Sequence, residues 1–369
     1  MATMANDHGL DVDRAVLSKL PPGSEILAVT TLGLSTDYDT SRIDVRLADG
    51  SKMRYLEKAS RGQHGFEHLR AHYTSESSMY SFIPENVPRP LAFVTHESNP
   101  NRHSFLMEFV DMIDELPTPE PFMATVAALH RRSAGKSPTG KFGFPVTTKF
   151  GHLTTPNTWD ESWEVVWAQH MTNAFDREVQ ERGARTAEED GLVDFYLKQA
   201  IPRYIRPLET DGRSIPPTLV HTNVWAGNVK HMLDNETVCL FDANAIWGHN
   251  EMELGLVANP RYPLGEAYIE EYWKHIPISE PEEDLDCRII MYMIRHQVCI
   301  ASVYPNDPKL RDVWVNSVQD LRDRYTIDER IKTNASRASN NASTVLGTLD
   351  AQPHTHETTK VAISAILAT

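Results

Sequence analysis

Thr218-Leu219-Val220-His221-Thr222-Asn223-Val224-Trp225-Ala226-Gly227-Asn228, followed by Val238-Cys239-Leu240-Phe241-Asp242, is the stretch on which the fold turns. Two short apolar runs flank polar, Gly-containing turns, the pattern of two strands joined by a loop. Strands placed that way bring one His, two Asn and one Asp to a single point. Asp and Asn are common turn residues, so their types alone say little. Their spacing is what carries information.

Around that stretch the chain is an ordinary globular one. It has 369 residues, 40% hydrophobic and 24% charged, enough for two lobes rather than one small core. Its net charge is -15. Such a surface repels phosphate backbones, and no basic cluster interrupts it, so nucleic acid is excluded as a partner. The three cysteines, Cys239, Cys287 and Cys299, lie in apolar contexts without paired spacing. They read as buried free thiols in a reducing compartment, here assigned to the cytoplasm. No run reaches the roughly 18 apolar residues of a membrane span, and residues 1–20 lack the apolar core of a signal peptide. No membrane association is expected.

Residues 24–30 alternate weakly as a first strand, and 32–40 form a polar turn. Ile43, Val45 and Leu47 alternate up to Asp49-Gly50, and Met53, Tyr55 and Lys58 follow; an Asp-Gly pair between such runs signals a hairpin. Helical spacing covers 64–82, and strands are expected at 91–94 and 105–110. Beyond a Pro-rich turn, helices are predicted at 122–132, 158–182, 187–205, 264–275, 282–303 and 309–330. The predicted organisation is an N-terminal extension (1–23), a small β-rich lobe (24–110), a larger, mainly helical lobe (111–332) and a disordered tail (333–369), the last from its Ser, Thr, Asn and Ala content. The fold class is therefore α+β.

The spacing of the opening stretch matches the protein-kinase catalytic loop, H-R-D-x-x-x-x-N followed by a metal-binding Asp at a strand end. His221, position 223, Asn228 and Asp242 occupy that frame. The wider pattern resembles the fructosamine-3-kinase (ketosamine or protein-ribulosamine kinase) family, a branch of the aminoglycoside-phosphotransferase-like kinases, and its fungal members in particular. The family's L-x-H-G-D-L-W-x-G-N motif falls on Leu219 to Asn228. Its V-x-F-D strand end falls on Leu240-Phe241-Asp242, and its Y-G-H-x-E-x-E-L run on Trp247 to Leu254. Phe142-Gly143-Phe144, Asn157, Trp159 and Trp163 extend the match. The resemblance implies a bilobal, protein-kinase-like fold with ATP in the cleft between the lobes.

It also implies roles. Asp242 and Asn228 would hold Mg²⁺, because a hard dication takes oxygen ligands. Lys58 would offset phosphate charge. The carboxylate that normally holds this lysine aligns with His72, and Glu76, one turn on, is the substitute. Gly33 and Ser35 keep part of the nucleotide-covering loop, whose aromatic positions hold Thr36 and Asp37. Glu108 and Val110 belong to the hinge that reads adenine through its backbone. Trp225 would pack on the sugar, and Glu253 would brace the catalytic loop. His64, His68 and His72 repeat at i, i+4, i+8; we read them as a solvated helix face rather than a metal site.

Position 223 departs from the family. The catalytic base belongs there, and Asn223 cannot take a proton, although it can orient a hydroxyl. His221 and Asn223 are the catalytic-loop candidates. The implied function is ATP-dependent phosphorylation of a sugar hydroxyl on a ketosamine or related small molecule, or on a glycated protein, attenuated by Asn223. Two alternatives stand beside it: a pseudokinase that serves as a binding or scaffold module, and a repurposed enzyme of fungal specialised metabolism.

Overall fold

The computed structural model describes residues 12–34, 38–234 and 236–350, without the side chains of 34 and 332–350. Ser35, Thr36 and Asp37 lie outside it. Two compact units are distinguished, residues 1–321 and 322–369.

The first unit opens with a short helix α1 (Arg14–Leu17) capped by Asp13, whose carboxylate also accepts the N–H groups of Glu97 and Ser98 at 3.0 Å. Three strands follow, β1 (Glu25–Leu34), β2 (Asp39–Arg46) and β3 (Lys52–Arg61), then helix α2 (Gly62–Tyr80) and strands β4 (Pro90–Thr95) and β5 (Arg102–Glu108). They form an antiparallel sheet of order β1-β2-β3-β5-β4. The Asp49-Gly50 turn joins β2 to β3 as its sequence predicts, with Gly50 at φ 85°. Apolar residues of the inward strand positions (Ile43, Val45, Tyr55, Leu106) pack together on one face, as strand alternation requires. The predicted turn over 32–40 is shorter in the structure, because β1 runs on to Leu34 and Gly33 pairs with Thr40.

Strand β6 (Met112–Ile113) leads into the second lobe and pairs with β10 (Val229–Met232), so the segment after β5 is stitched to the strands around the His221–Asp242 stretch. Helix α3 (Pro119–Ser133), the hairpin β7 (Thr148–Phe150) and β8 (Leu153–Thr155), and helix α4 (Trp163–Arg182) come next. The helix predicted from 158 starts at Trp163 instead. Asp160 is held by reciprocal 2.9 Å backbone bonds with Phe142, which keeps it extended. The helix predicted over 187–205 is α5 (Ala187–Phe195), a π turn (196–200) and α6 (Ile201–Tyr204).

Strands β9 (Thr218–Val220), β10 and β11 (Val238–Leu240) carry the decisive stretch, and β12 (Ile246–Gly248) pairs with β9. Short α7 (Met252–Val257), α8 (Glu266–Trp273) and α9 (Leu285–Val303) complete the lobe. Gly255 allows α7 to touch α9: a Cβ there would lie 2.4 Å from the Tyr292 backbone. Trp163 and Trp167 are fully buried beside Tyr292. All three cysteines are buried and none is in a disulfide, and no described helix is long and apolar enough to cross a membrane. The last helix, α10, spans Lys309–Asp350. It continues through 333–350, where composition predicts disorder; that stretch contains no proline, and residues 351–369 of the predicted tail lie outside the described residues.

Candidate active site

Asp242 directly follows β11 and Phe241, with φ 59°, a left-handed conformation that Asp tolerates better than most residues. The bend directs its carboxylate toward β3 and α2. Lys58 Nζ, from the middle of β3, forms an ion pair with Asp242 Oδ1. Tyr38 donates its hydroxyl to Asp242 Oδ2 at 3.3 Å, and its ring lies 4.9 Å from Lys58 Nζ. His72 Nδ1 is 3.7 Å from Asp242 Oδ1. Burial alone would raise the Asp242 carboxyl, but Lys58, with His72 and Tyr38, holds it well below the usual range. Burial likewise opposes the Lys58 charge, and Asp242 more than restores it.

The α2 face therefore differs from the sequence expectation in two respects. His68 and His72 are buried, not solvated, their rings 4.5 Å apart and edge-on to one another. Burial lowers His72 to about 4, so it stands neutral beside Asp242 at neutral pH. Glu76 does not take over as the lysine's ion-pair partner. Its Oε1 accepts the Ala243 N–H at 3.1 Å, just past Asp242, and burial raises its carboxyl to about 8. Glu76 thus caps the turn after Asp242 instead of holding the lysine. No group of three or more potential metal-binding side chains occurs among the described residues.

The catalytic loop is braced from behind. Glu253 accepts the His221 N–H at 2.7 Å and the Thr222 N–H at 2.9 Å. Thr222 sits at φ 63°, a costly place for a β-branched residue. Those bonds and its own hydroxyl's 2.9 Å bond to Asn244 O hold it there. Buried His221 bonds Phe241 O through Nε2 at 3.1 Å; burial depresses its basicity, which suits it to a scaffolding task. Asn223 donates Nδ2 to Asp242 O at 2.9 Å. An ionised Asp at 223 could not make that bond, so here the amide ties position 223 to the Asp242 turn. Asn228 donates Nδ2 to Asn223 O at 3.1 Å, which leaves its carbonyl end for a cation.

Two cavities meet at this cluster. One, of about 330 Å³, lies under the hinge between Leu56, Met107, Glu108, Val110 and Phe241. Glu108 and Phe109 give their N–H groups to Arg89 O and Arg54 O, so neither N–H is open to a ligand, and the Val110 backbone lies beside them on the same cavity. The other, of about 770 Å³, is lined by Asn223, Trp225, Lys149, Arg261, Tyr262 and Tyr304, among others. Tyr38 and Asp242 line both. Trp225 is 38% exposed and its ring is 5.8 Å from that of Tyr262. Gly227 allows this loop to pass the Trp225 ring, since a Cβ would lie 2.4 Å from it. Gly33 stays in the sheet and lines neither cavity. Tyr38, Lys149 and Arg261 escaped the sequence reading. Tyr38 stands one residue beyond the expected aromatic positions; Lys149 falls between Thr148 and Gly151, which also match the resembled family, but carries no signal of its own, and Arg261 comes from a segment with no motif.

A Mg²⁺ ion fits this donor set only in company. One carboxylate and one amide oxygen match a cation that takes one or two protein oxygens and completes its shell with phosphates and water.

Comparison with known proteins agrees with this geometry. The family described as fructosamine kinase matches residues 45–307. The chain is 26% identical over 231 residues to a chloroplastic protein-ribulosamine 3-kinase of Arabidopsis thaliana, covering 62% of this chain and 65% of that one. It is 30% identical over 157 residues to mouse ketosamine-3-kinase, covering 42% and 46%. The chain thus spans less than two thirds of the length of these relatives. A solved structure of a putative fructosamine-3-kinase from Thermobifida fusca superposes with a TM-score of 0.62 at 22% identity, over 84% of this chain and 98% of that one. The overlap bears out the bilobal kinase-like fold.

Proposed function

The chain belongs to the fructosamine kinase family, and from that premise we propose that it transfers the γ-phosphoryl group of ATP to a sugar hydroxyl of a ketosamine or related small molecule. The observation that carries this reading is the meeting of Lys58 and Asp242 at the wall shared by a hinge-side and a sugar-side cavity. Adenine would lie under residues 107–112, its edge against the Val110 backbone. Lys58 would exchange Asp242 for phosphate oxygens, and Asp242 and Asn228 would hold Mg²⁺. The ion supplies charge neutralisation for the phosphates.

In the transfer, the acceptor oxygen bonds to the γ-phosphorus as the bond to the ADP oxygen breaks. The hydroxyl proton leaves with no carboxylate at 223 to receive it, and passes to water or to the phosphoryl oxygens. General-base catalysis is worth about 10²–10⁴-fold, whereas positioning and electrostatics carry most of phosphoryl transfer. The proposed enzyme is therefore slow rather than dead. Its three buried free thiols suit a reducing compartment such as the cytoplasm.

The test is ADP release by the full chain with Mg-ATP and a fructosamine. Turnover that depends on both substrates supports the proposal. Absence of turnover in both the native chain and Asn223→Asp, with no thermal stabilisation by Mg-ATP, would replace it with the scaffold reading.

A further inference from the structure

The sugar-side cavity has an unexpected charge for a site meant to receive an amine. The chain carries net charge -15, yet the only carboxylate lining this cavity among the described residues is Asp242, already paired with Lys58. Two cations line it, Lys149 and Arg261. Lys149 is buried, with Nζ 3.2 Å from Glu67 Oε2 and 3.3 Å from His64 O, so its charge is already answered. Arg261 is exposed and its guanidinium lies 5.9 Å from the Tyr304 ring centroid. No carboxylate lies within ion-pair distance of it among the described residues. The histidines of this cavity add no negative charge: His68 and His72 back onto Tyr38, and His152 Nε2 is 3.4 Å from Glu181.

A ketosamine nitrogen is a secondary amine and is largely cationic at neutral pH. Alone it gains nothing from such a wall and loses some hydration. A carboxylate on the same molecule changes the sign of the interaction, because a guanidinium fork matches a carboxylate in both charge and shape. Resting on the kinase reading above, we infer that the acceptor is a ketosamine of a free amino acid, its sugar over Trp225 and Asn223 and its carboxylate on Arg261, the cavity's one cation without an ion-pair partner among the described residues. A glycated lysine side chain in a protein offers no carboxylate at that distance from the sugar. The cavity volume falls within the range that holds a small ligand, enough for a hexose and a short amino acid.

Calorimetric binding to the full chain tests this, with N-(1-deoxyfructosyl)glycine and its carboxamide as probes. The two share sugar and amine and differ in one charge. The carboxylate is expected to bind about tenfold tighter or more at low salt, the usual scale of a charge-assisted hydrogen bond. Arg261→Gln should bring the two within about twofold and Arg261→Lys should keep part of the difference. Equal affinities, a preference for the carboxamide, a preference that survives Arg261→Gln, or no binding of either probe would each overturn the inference. ADP release is read separately. Selective binding of the carboxylate without ADP release upholds the acceptor assignment and sinks the kinase reading; equal turnover of both probes, with equal affinity, does the reverse.

Discussion

Two acidic side chains in the second lobe are each held by a cation, and the contrast between them separates framework from working site. Glu251 and Arg288 are both fully buried. Arg288 Nε and Nη2 reach the two Glu251 oxygens at 2.7 and 3.1 Å, and the remaining Arg288 donors go to Ser279 O and Pro281 O. Glu251 also accepts the Ser279 N–H at 2.8 Å. Each side of that pair is answered by protein. Asp242 and Lys58 also pair, but the Asp242 side chain is 25% exposed and lines two cavities. Behind it Glu76 keeps one oxygen, Oε2, without a partner. A completed network fixes a fold, whereas an incomplete one beside a cavity has room to change partners.

The comparison can be broken, most severely at Arg288. Arg288→Met strands a buried carboxylate, and urea unfolding should show a loss of about 3–5 kcal/mol. A loss under about 1 kcal/mol would mean that the Glu251 pair is no more structural than the other. Next in size is Asn223→Asp. If the missing base limits the rate, ADP release should rise by about 10²-fold, and an unchanged rate would place the limit elsewhere in the cleft. Asp242→Asn should cost the free protein about 1–3 kcal/mol, because Lys58 loses a charge-assisted bond. The same variant should abolish thermal stabilisation by Mg-ATP, which Arg288→Met should leave in place.

The smallest effect concerns pH. Folding raises the Glu76 carboxyl to about 8, so the native state binds more protons than the unfolded chain above the ordinary Glu range. Its contribution is full at low pH and is lost as pH rises through 8. His72 and His249, lowered to about 4, and His170 and His296, lowered to about 3, act in the opposite direction as pH rises through the ordinary His range. The Glu76 part is therefore read as a difference: between about pH 6.5 and 8 the native chain should lose on the order of 1 kcal/mol relative to Glu76→Gln. Parallel pH profiles of the two proteins would assign the effect to another group.

Some of this was legible in the chain and some was not. The frame from His221 to Asp242 was readable because turn geometry fixes its spacing locally. Lys58 was readable because the Asp49-Gly50 hairpin sets its register. The row His64, His68, His72 was misread, since helical periodicity tells which residues share a face but not what that face meets. Tyr38 had no signal at all: it reaches Asp242 across 204 positions of sequence. Lys149 and Arg261 enter the cavity from a short hairpin and from the loop after α7. Only the folded chain brings them together.

Tyr38 and Asp242 form a partition between two compartments. On the proposed kinase reading, a nucleotide on the hinge side would draw Lys58 away from Asp242, a residue that also walls the other compartment. Any change this makes in affinity on the far side must be returned, by thermodynamic reciprocity, as an equal factor on the near side.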